Sequence, residues 1–294
     1  VTPALARGTW AGGYTGSDVF INNISYVNLS STGNASDFGD LVGRYRLAAG
    51  CGSTSRGIYS GGATGSDAEV NVIQYITFAT TGNATDFGDM TIVREALGSC
   101  NSSTRGVNAG GADNGTAKNV IDYITIASAG NATDFGDLLA NTTQLGSCSS
   151  PTRGIFAGGN GTSTISYITI SSVGNASDFG DLSSNARYVS SCSSSTRGLF
   201  GAMDDLVAGK NAIEYITIAS TGNSADFGDL TIEQTGRAAC SSSIIGVWGG
   251  GVSAYTNVMD YVTIATTGNA SDFGDLPLVE GYLAACSSSN GGTQ

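Results

Sequence analysis

The chain has 294 residues, of which 44 are glycine and only 12% are charged, with no histidine and a formal net charge of −12 at pH 7. That charge excludes nucleic acid as a partner, since little here neutralises phosphates, and no apolar run approaches the roughly 18 residues of a bilayer span, so no membrane insertion is expected. The missing histidine removes the commonest general base and the commonest metal ligand together.

An internal repeat organises the whole sequence. Asp-Phe-Gly-Asp begins at Asp37, Asp86, Asp134, Asp178, Asp226 and Asp272, in steps of 49, 48, 44, 48 and 46 residues. A tyrosine precedes each copy by 11 residues (Tyr26, Tyr75, Tyr123, Tyr167, Tyr215, Tyr261) and a cysteine follows each by 14 (Cys51, Cys100, Cys148, Cys192, Cys240, Cys286). Self-similarity at such a period marks a repeat architecture built from one supersecondary unit. In chain order, the first copy opens on a strand over residues 7–13, and later copies read as four strands, A to D. Around Asp178, strand A covers residues 145–150 and is made of small residues. Pro-Thr-Arg-Gly then turns the chain, and strand B runs over 154–159 to a diglycine. Strand C, over 165–171, is β-branched and aromatic. A turn at 173–176 carries Gly and Asn, which suit positive φ, and strand D covers 177–182. The last copy stops after strand A, at 283–289, so this strand is expected to pair with the opening strand at 8–13.

The diglycines (Gly12-Gly13, Gly61-Gly62, Gly110-Gly111, Gly158-Gly159, Gly250-Gly251), the tyrosine after them and an aromatic further on make the chain resemble the kelch family. Kelch repeats usually carry tryptophan at that last position; here it is Phe38, Phe87, Phe135, Phe179, Phe227 and Phe273, and the fifth copy has Ala202-Met203 for its diglycine. The resemblance implies an all-β, six-bladed β-propeller over residues 1–294, with six repeats of about 47 residues and four strands per blade. The ring would be closed by the C-terminal inner strand on the N-terminal strands. The consensus of the copies, Tyr-Ile-Thr-Ile-Ala-Ser-Thr-Gly-Asn-Ala-Thr-Asp-Phe-Gly-Asp-Leu, is similar to repeats in kelch-like structural proteins of marine tailed phages. That implies a virion protein folded in the host cytoplasm: a fibre tip, a receptor-binding part or a capsid decoration. Its partners would be other virion proteins or a host surface glycan. Some kelch propellers are copper oxidases, but that site uses histidines, so no cofactor, metal site or catalytic residue carries over.

The recurring motifs have structural readings. One cysteine per repeat, on the innermost strand, leaves neighbours beyond the roughly 7 Å that a disulfide spans, so six free buried thiols are expected. Asp37 and Asp40 offer too few oxygens for calcium; Asp37 and its equivalents are expected to cap the C–D turn. Arg7, Arg56, Arg105, Arg153 and Arg197 recur in the A–B turn, with Ile245 in the remaining copy, and are expected to pair with a motif aspartate. The sequons at Asn34, Asn83, Asn131, Asn175 and Asn269 coincide with a turn, and residues 1–7 do not read as a signal peptide.

Recognition is expected where the copies differ. The A–B and C–D turns are nearly uniform. The B–C loops (14–22, 63–69, 112–118, 160–164, 204–210, 252–257) and the D–A segments (42–47, 91–96, 139–144, 183–188, 231–236, 277–282) are individual, and strand order puts both at one end. The candidate binding residues there are Tyr45, Arg46, Arg94, Arg187, Tyr188, Arg237, Tyr255 and Tyr282, with tyrosines to stack on sugars and arginines to take acidic groups. The other function classes are an extracellular, lectin-like propeller and a carbohydrate-active enzyme, for which Asp204 with Glu233 or Glu280 is the acid/base pair to consider.

Overall fold

The computed structural model describes residues 6–16, 19–204 and 211–289. Every regular element among them is a strand. Six antiparallel sheets repeat one order, A–B–C–D. Sheet I joins the two ends of the chain: Ala284–Ser287 supplies strand A, followed by Arg7–Ala11, Asn23–Asn28 and Ser36–Asp40. Gly8 faces Ser287 and Ala11 faces Ala284, the pairing expected from the truncated first and last repeats. Sheets II to VI begin at Ala49–Gly52, Gly98–Asn101, Gly146–Ser149, Ser190–Ser193 and Ala238–Ser241. Sheet III adds a short edge strand, Ala112–Asp113. Tyr14–Thr15, Val19–Phe20 and Glu280–Gly281 form a separate three-stranded sheet.

The small residues of strand A have two physical causes. Each cysteine sulfur lies against the second residue of strand B in the following sheet, which is always glycine. A Cβ on Gly154 would lie 2.6 Å from the Cys100 sulfur, one on Gly57 2.7 Å from Cys286, and one on Gly8 2.6 Å from Cys240; Gly106, Gly198 and Gly246 face Cys51, Cys148 and Cys192 in the same way. Hydroxyls then link strands that share no backbone ladder. Ser149 donates to the Asn101 carbonyl, Ser193 to Ser149 and Ser241 to Ser193, each at 2.8 Å, and Ser287 to Ser241 at 2.6 Å. All six cysteines are free and buried. Burial pushes the Cys148 thiol up to about 12 and Cys286 up to about 11, because a thiolate is poorly solvated there.

The C–D turn of each sheet docks on strand D of the sheet before it. Gly82 donates to the Phe38 carbonyl at 2.7 Å, and Gly33 to the Phe273 carbonyl at 2.8 Å. Asn83 accepts from the Asp40 amide and Asn34 from the Asp275 amide, both at 3.1 Å. The remaining asparagines, Asn131, Asn175, Asn223 and Asn269, do the same. The capping residue is therefore this asparagine. Asp37, expected to cap, is exposed on strand D. Asn223, which heads no sequon, holds the same bond, so the asparagine is used for its amide.

The core lies between sheets. Six apolar clusters each draw on two consecutive sheets, such as Ile165 and Phe179 of sheet IV with Phe200 and Ile216 of sheet V, or Met259 and Phe273 of sheet VI with Trp10 and Leu29 of sheet I. The motif phenylalanines are 2% exposed, and burial of such a ring stabilises by about 1.5–3 kcal/mol. The fixed spacing from tyrosine to Asp-Phe-Gly-Asp places the two rings edge to face, with centroids 5.7–6.0 Å apart in every sheet.

The arginines at the start of strand B act as clips and not as partners of the motif aspartates. Each guanidinium lies over its own sheet's tyrosine, 4.2–4.9 Å from the ring centroid. Its Nη1 donates to the carbonyl just after strand C of the following sheet: Arg7 to Phe78, Arg56 to Ile126, Arg105 to Ile170, Arg153 to Ile218 and Arg197 to Ile264, at 2.6–2.9 Å.

Candidate binding face

The D–A segments run beside the B–C loops of the following sheet. Bridges join Arg46 to Ala63, Glu95 to Ala112 and Arg187 to Asp204, and Glu280–Gly281 pairs with Tyr14–Thr15. Each segment ends on a residue in the left-handed region: Leu47, Ala96, Gln144, Tyr188, Gly236 and Tyr282, with φ between 51° and 66°. Only one is glycine, and an L side chain there costs about 1 kcal/mol. Backbone bonds connect five of these residues to one another. Ala96 donates to Leu47 at 2.8 Å, Gln144 to Ala96 at 2.7 Å, Leu47 to Tyr282 at 2.9 Å and Tyr282 to Gly236 at 2.8 Å. All six line one cavity of about 90 Å³. That volume is well below the roughly 300 Å³ of an ordinary ligand pocket, so a ligand at this place rests on the rim.

Two tyrosines dominate the rim. The rings of Tyr188 and Tyr282 are 5.4 Å apart and tilted by 45°. The Arg187 guanidinium lies 5.8 Å from the Tyr188 centroid, and its Nε donates to Asp204 at 2.7 Å. Burial, then the nearby Tyr188, pushes the Tyr282 hydroxyl up to about 12, so it stays a neutral donor at physiological pH. A second cluster joins Tyr255 to Tyr14 at 5.6 Å and Tyr14 to Phe20 at 5.6 Å. Arg46 lies 5.8 Å from the Phe20 ring and pairs with Asp67 at 2.7 Å. Tyr45 is half-buried and packs against the apolar cluster between sheets I and II.

Two expected binding residues are interior. Arg94 has no exposed side-chain surface and pairs with the equally buried Asp122 at 2.7 Å, while donating to the Gly110 and Val120 carbonyls. Arg237 pairs with buried Asp260 and donates to the Trp248 and Val258 carbonyls. A guanidinium is retained in a core when a carboxylate and backbone carbonyls offset its desolvation, and with no exposed side-chain surface neither arginine is presented to a ligand at this face. The sequence signal was Asp122 and Asp260 on strand C, at the same offset before the motif. Of loop 204–210, only Asp204 lies within the described residues. Glu280 is 1% exposed and turned from solvent.

No protein-family model matches this chain, and no curated protein matches it.

Proposed function

We propose that the six sheets are the blades of a closed β-propeller and that the chain is a non-catalytic binding module of a phage virion. It recognises an acidic host glycan at the end that carries the D–A segments. Support for the ring comes from the succession of contacts between sheets. The cysteine–glycine packing, the docked C–D turns and the apolar clusters each run from sheet to sheet and join sheet VI to sheet I. Support for the virion reading is the resemblance of the repeat to phage structural proteins.

The observation that carries the binding reading is the convergence of six left-handed residues on one small cavity, with Tyr188, Tyr282 and Arg187 at its rim. Strained backbone held in common by many neighbours is a mark of functional positions. A tyrosine face stacks on a sugar ring, while the guanidinium offers a fork for a carboxylate or sulfate. The small cavity suits a terminal sugar better than an enclosed chain, and this favours retention over cleavage.

The test is retention of the chain on immobilised host polysaccharide. Replacing both Arg187 and Tyr188 by alanine should abolish retention, with melting shifted little, because surface positions change stability by about 0.5 kcal/mol. Val173→Ala, on an exposed C–D turn at the opposite end, is the matched control. Retention that survives the double substitution, or sugar release from the polysaccharide, overturns the reading.

A further inference from the structure

The clip of arginine, tyrosine and carbonyl occurs at five of the six junctions between consecutive sheets. At the sixth, from sheet VI to sheet I, the position is Ile245, and the corresponding groups are the Tyr261 ring and the Leu29 carbonyl. A cavity of about 720 Å³ opens at this junction, lined by Ile245, Tyr261, Phe273, Leu29, Thr32 and Ser289 among others. It is the largest cavity described, and it lies at the A–B and C–D end, opposite the tyrosine rim.

We infer that this cavity is a receptor for an arginine side chain presented by a partner protein. The guanidinium would stack on Tyr261 and donate to the Leu29 carbonyl, as the five internal arginines do at their own junctions. Those five copies define the ligand chemistry: a planar cation over an aromatic face, with an N–H aimed at a neighbouring sheet's carbonyl. Leu29 lines the cavity and is itself 4% exposed. The volume exceeds a guanidinium and has room for the methylene stem and adjoining residues. Residues 1–5 and 290–294 contain no arginine or lysine, and the net charge of −12 attracts a cationic partner. A lysine fits less well, because its compact ammonium is more strongly hydrated and does not stack.

The probe is N-acetyl-arginine amide, titrated into the nitrogen-labelled chain while the backbone amides of Leu29, Ser30, Ile245 and Tyr261 are followed. The neutral isostere N-acetyl-citrulline amide is the comparison. The arginine compound should give saturable shifts confined to this junction, and citrulline should bind roughly tenfold more weakly, the factor set by about 1.4 kcal/mol of cation–π attraction. Ile245→Arg should abolish the response and raise the melting temperature, since its own guanidinium completes the sixth clip. Tyr261→Leu should abolish the response by removing the aromatic face, which keeps the test decisive if the arginine variant folds poorly. Equal binding of citrulline, or an undiminished response in a folded Ile245→Arg or Tyr261→Leu chain, overturns the proposal. So does the absence of saturable shifts up to the solubility limit of the probe.

Discussion

Glu280 and Arg94 occupy the same place in the repeat, eight residues after the start of the motif, but their surroundings differ. Arg94 meets Asp122, whereas the equivalent of Asp122 in sheet I is Ser25. Among the described residues, Glu280 is therefore buried without a cation and one carboxylate oxygen lacks a partner, and burial pushes its acid up to about 8. The folded chain holds a proton there that the unfolded chain releases near pH 4.3. Stability should thus fall as pH rises from about 4.5 to about 8, with the full penalty present above the folded value. Glu280→Gln removes the titration. It should match the parent near pH 4.5 and exceed it by a few kcal/mol at pH 8, since each tenfold change in proton affinity is worth about 1.36 kcal/mol. Denaturant unfolding across that range checks this; parallel curves for the two proteins would refute it. The charge of Arg94 and Glu280 was plain in the sequence, but their burial was not. It depends on what strand C of the following sheet presents, and no local pattern reports that.

The strands themselves were legible because β-branched and aromatic runs, diglycines and Gly-Asn turns recur at fixed spacing. The partnership between strands of different sheets was not. Cys100 and Gly154 are 54 positions apart, and each alone reads as a small residue on a crowded strand. Their contact yields a sharp test. Gly154→Ala places a methyl 2.6 Å from the Cys100 sulfur, an overpacking that should cost about 1–3 kcal/mol. Adding Cys100→Ala makes room for the methyl, so the two changes should couple favourably by about 0.5–2 kcal/mol in a double-mutant cycle. Additive changes would mean that sulfur and glycine do not meet. The left-handed ends of the D–A segments were hidden for another reason. Leu47, Ala96 and Gln144 are not residues that signal positive φ; the conformation is imposed by the backbone bonds among them. The tyrosines at two of these positions were found from their variable setting, without their geometry.

At the scale of the molecule, the chain is held by contacts that repeat between sheets, and its two ends share sheet I. Deleting residues 283–294 removes strand A of that sheet, exposes the edge of Arg7–Ala11, and uncovers Gly57, against which Cys286 packs. Aggregation is expected, because an unpaired apolar edge recruits other chains. Light scattering after dilution from denaturant measures it, and a truncated chain that stays monomeric with unchanged melting would contradict the role given to this strand. The antiparallel pairing of these ends also decides how the protein bears mechanical load. Gly8 lies opposite Ser287 at one end of the pair, and Ala11 lies opposite Ala284 at the other. Tension applied between the two termini therefore enters at Gly8 and Ser287 and peels the ladder one bond at a time, a weak mode, in which each bond carries the whole force in turn. Tension on one terminus, with the resisting force applied at the end that carries the D–A segments, spreads instead over whole sheets. Under flow or pulling, the fold withstands a single-ended tether far better than a place in the middle of a loaded strand.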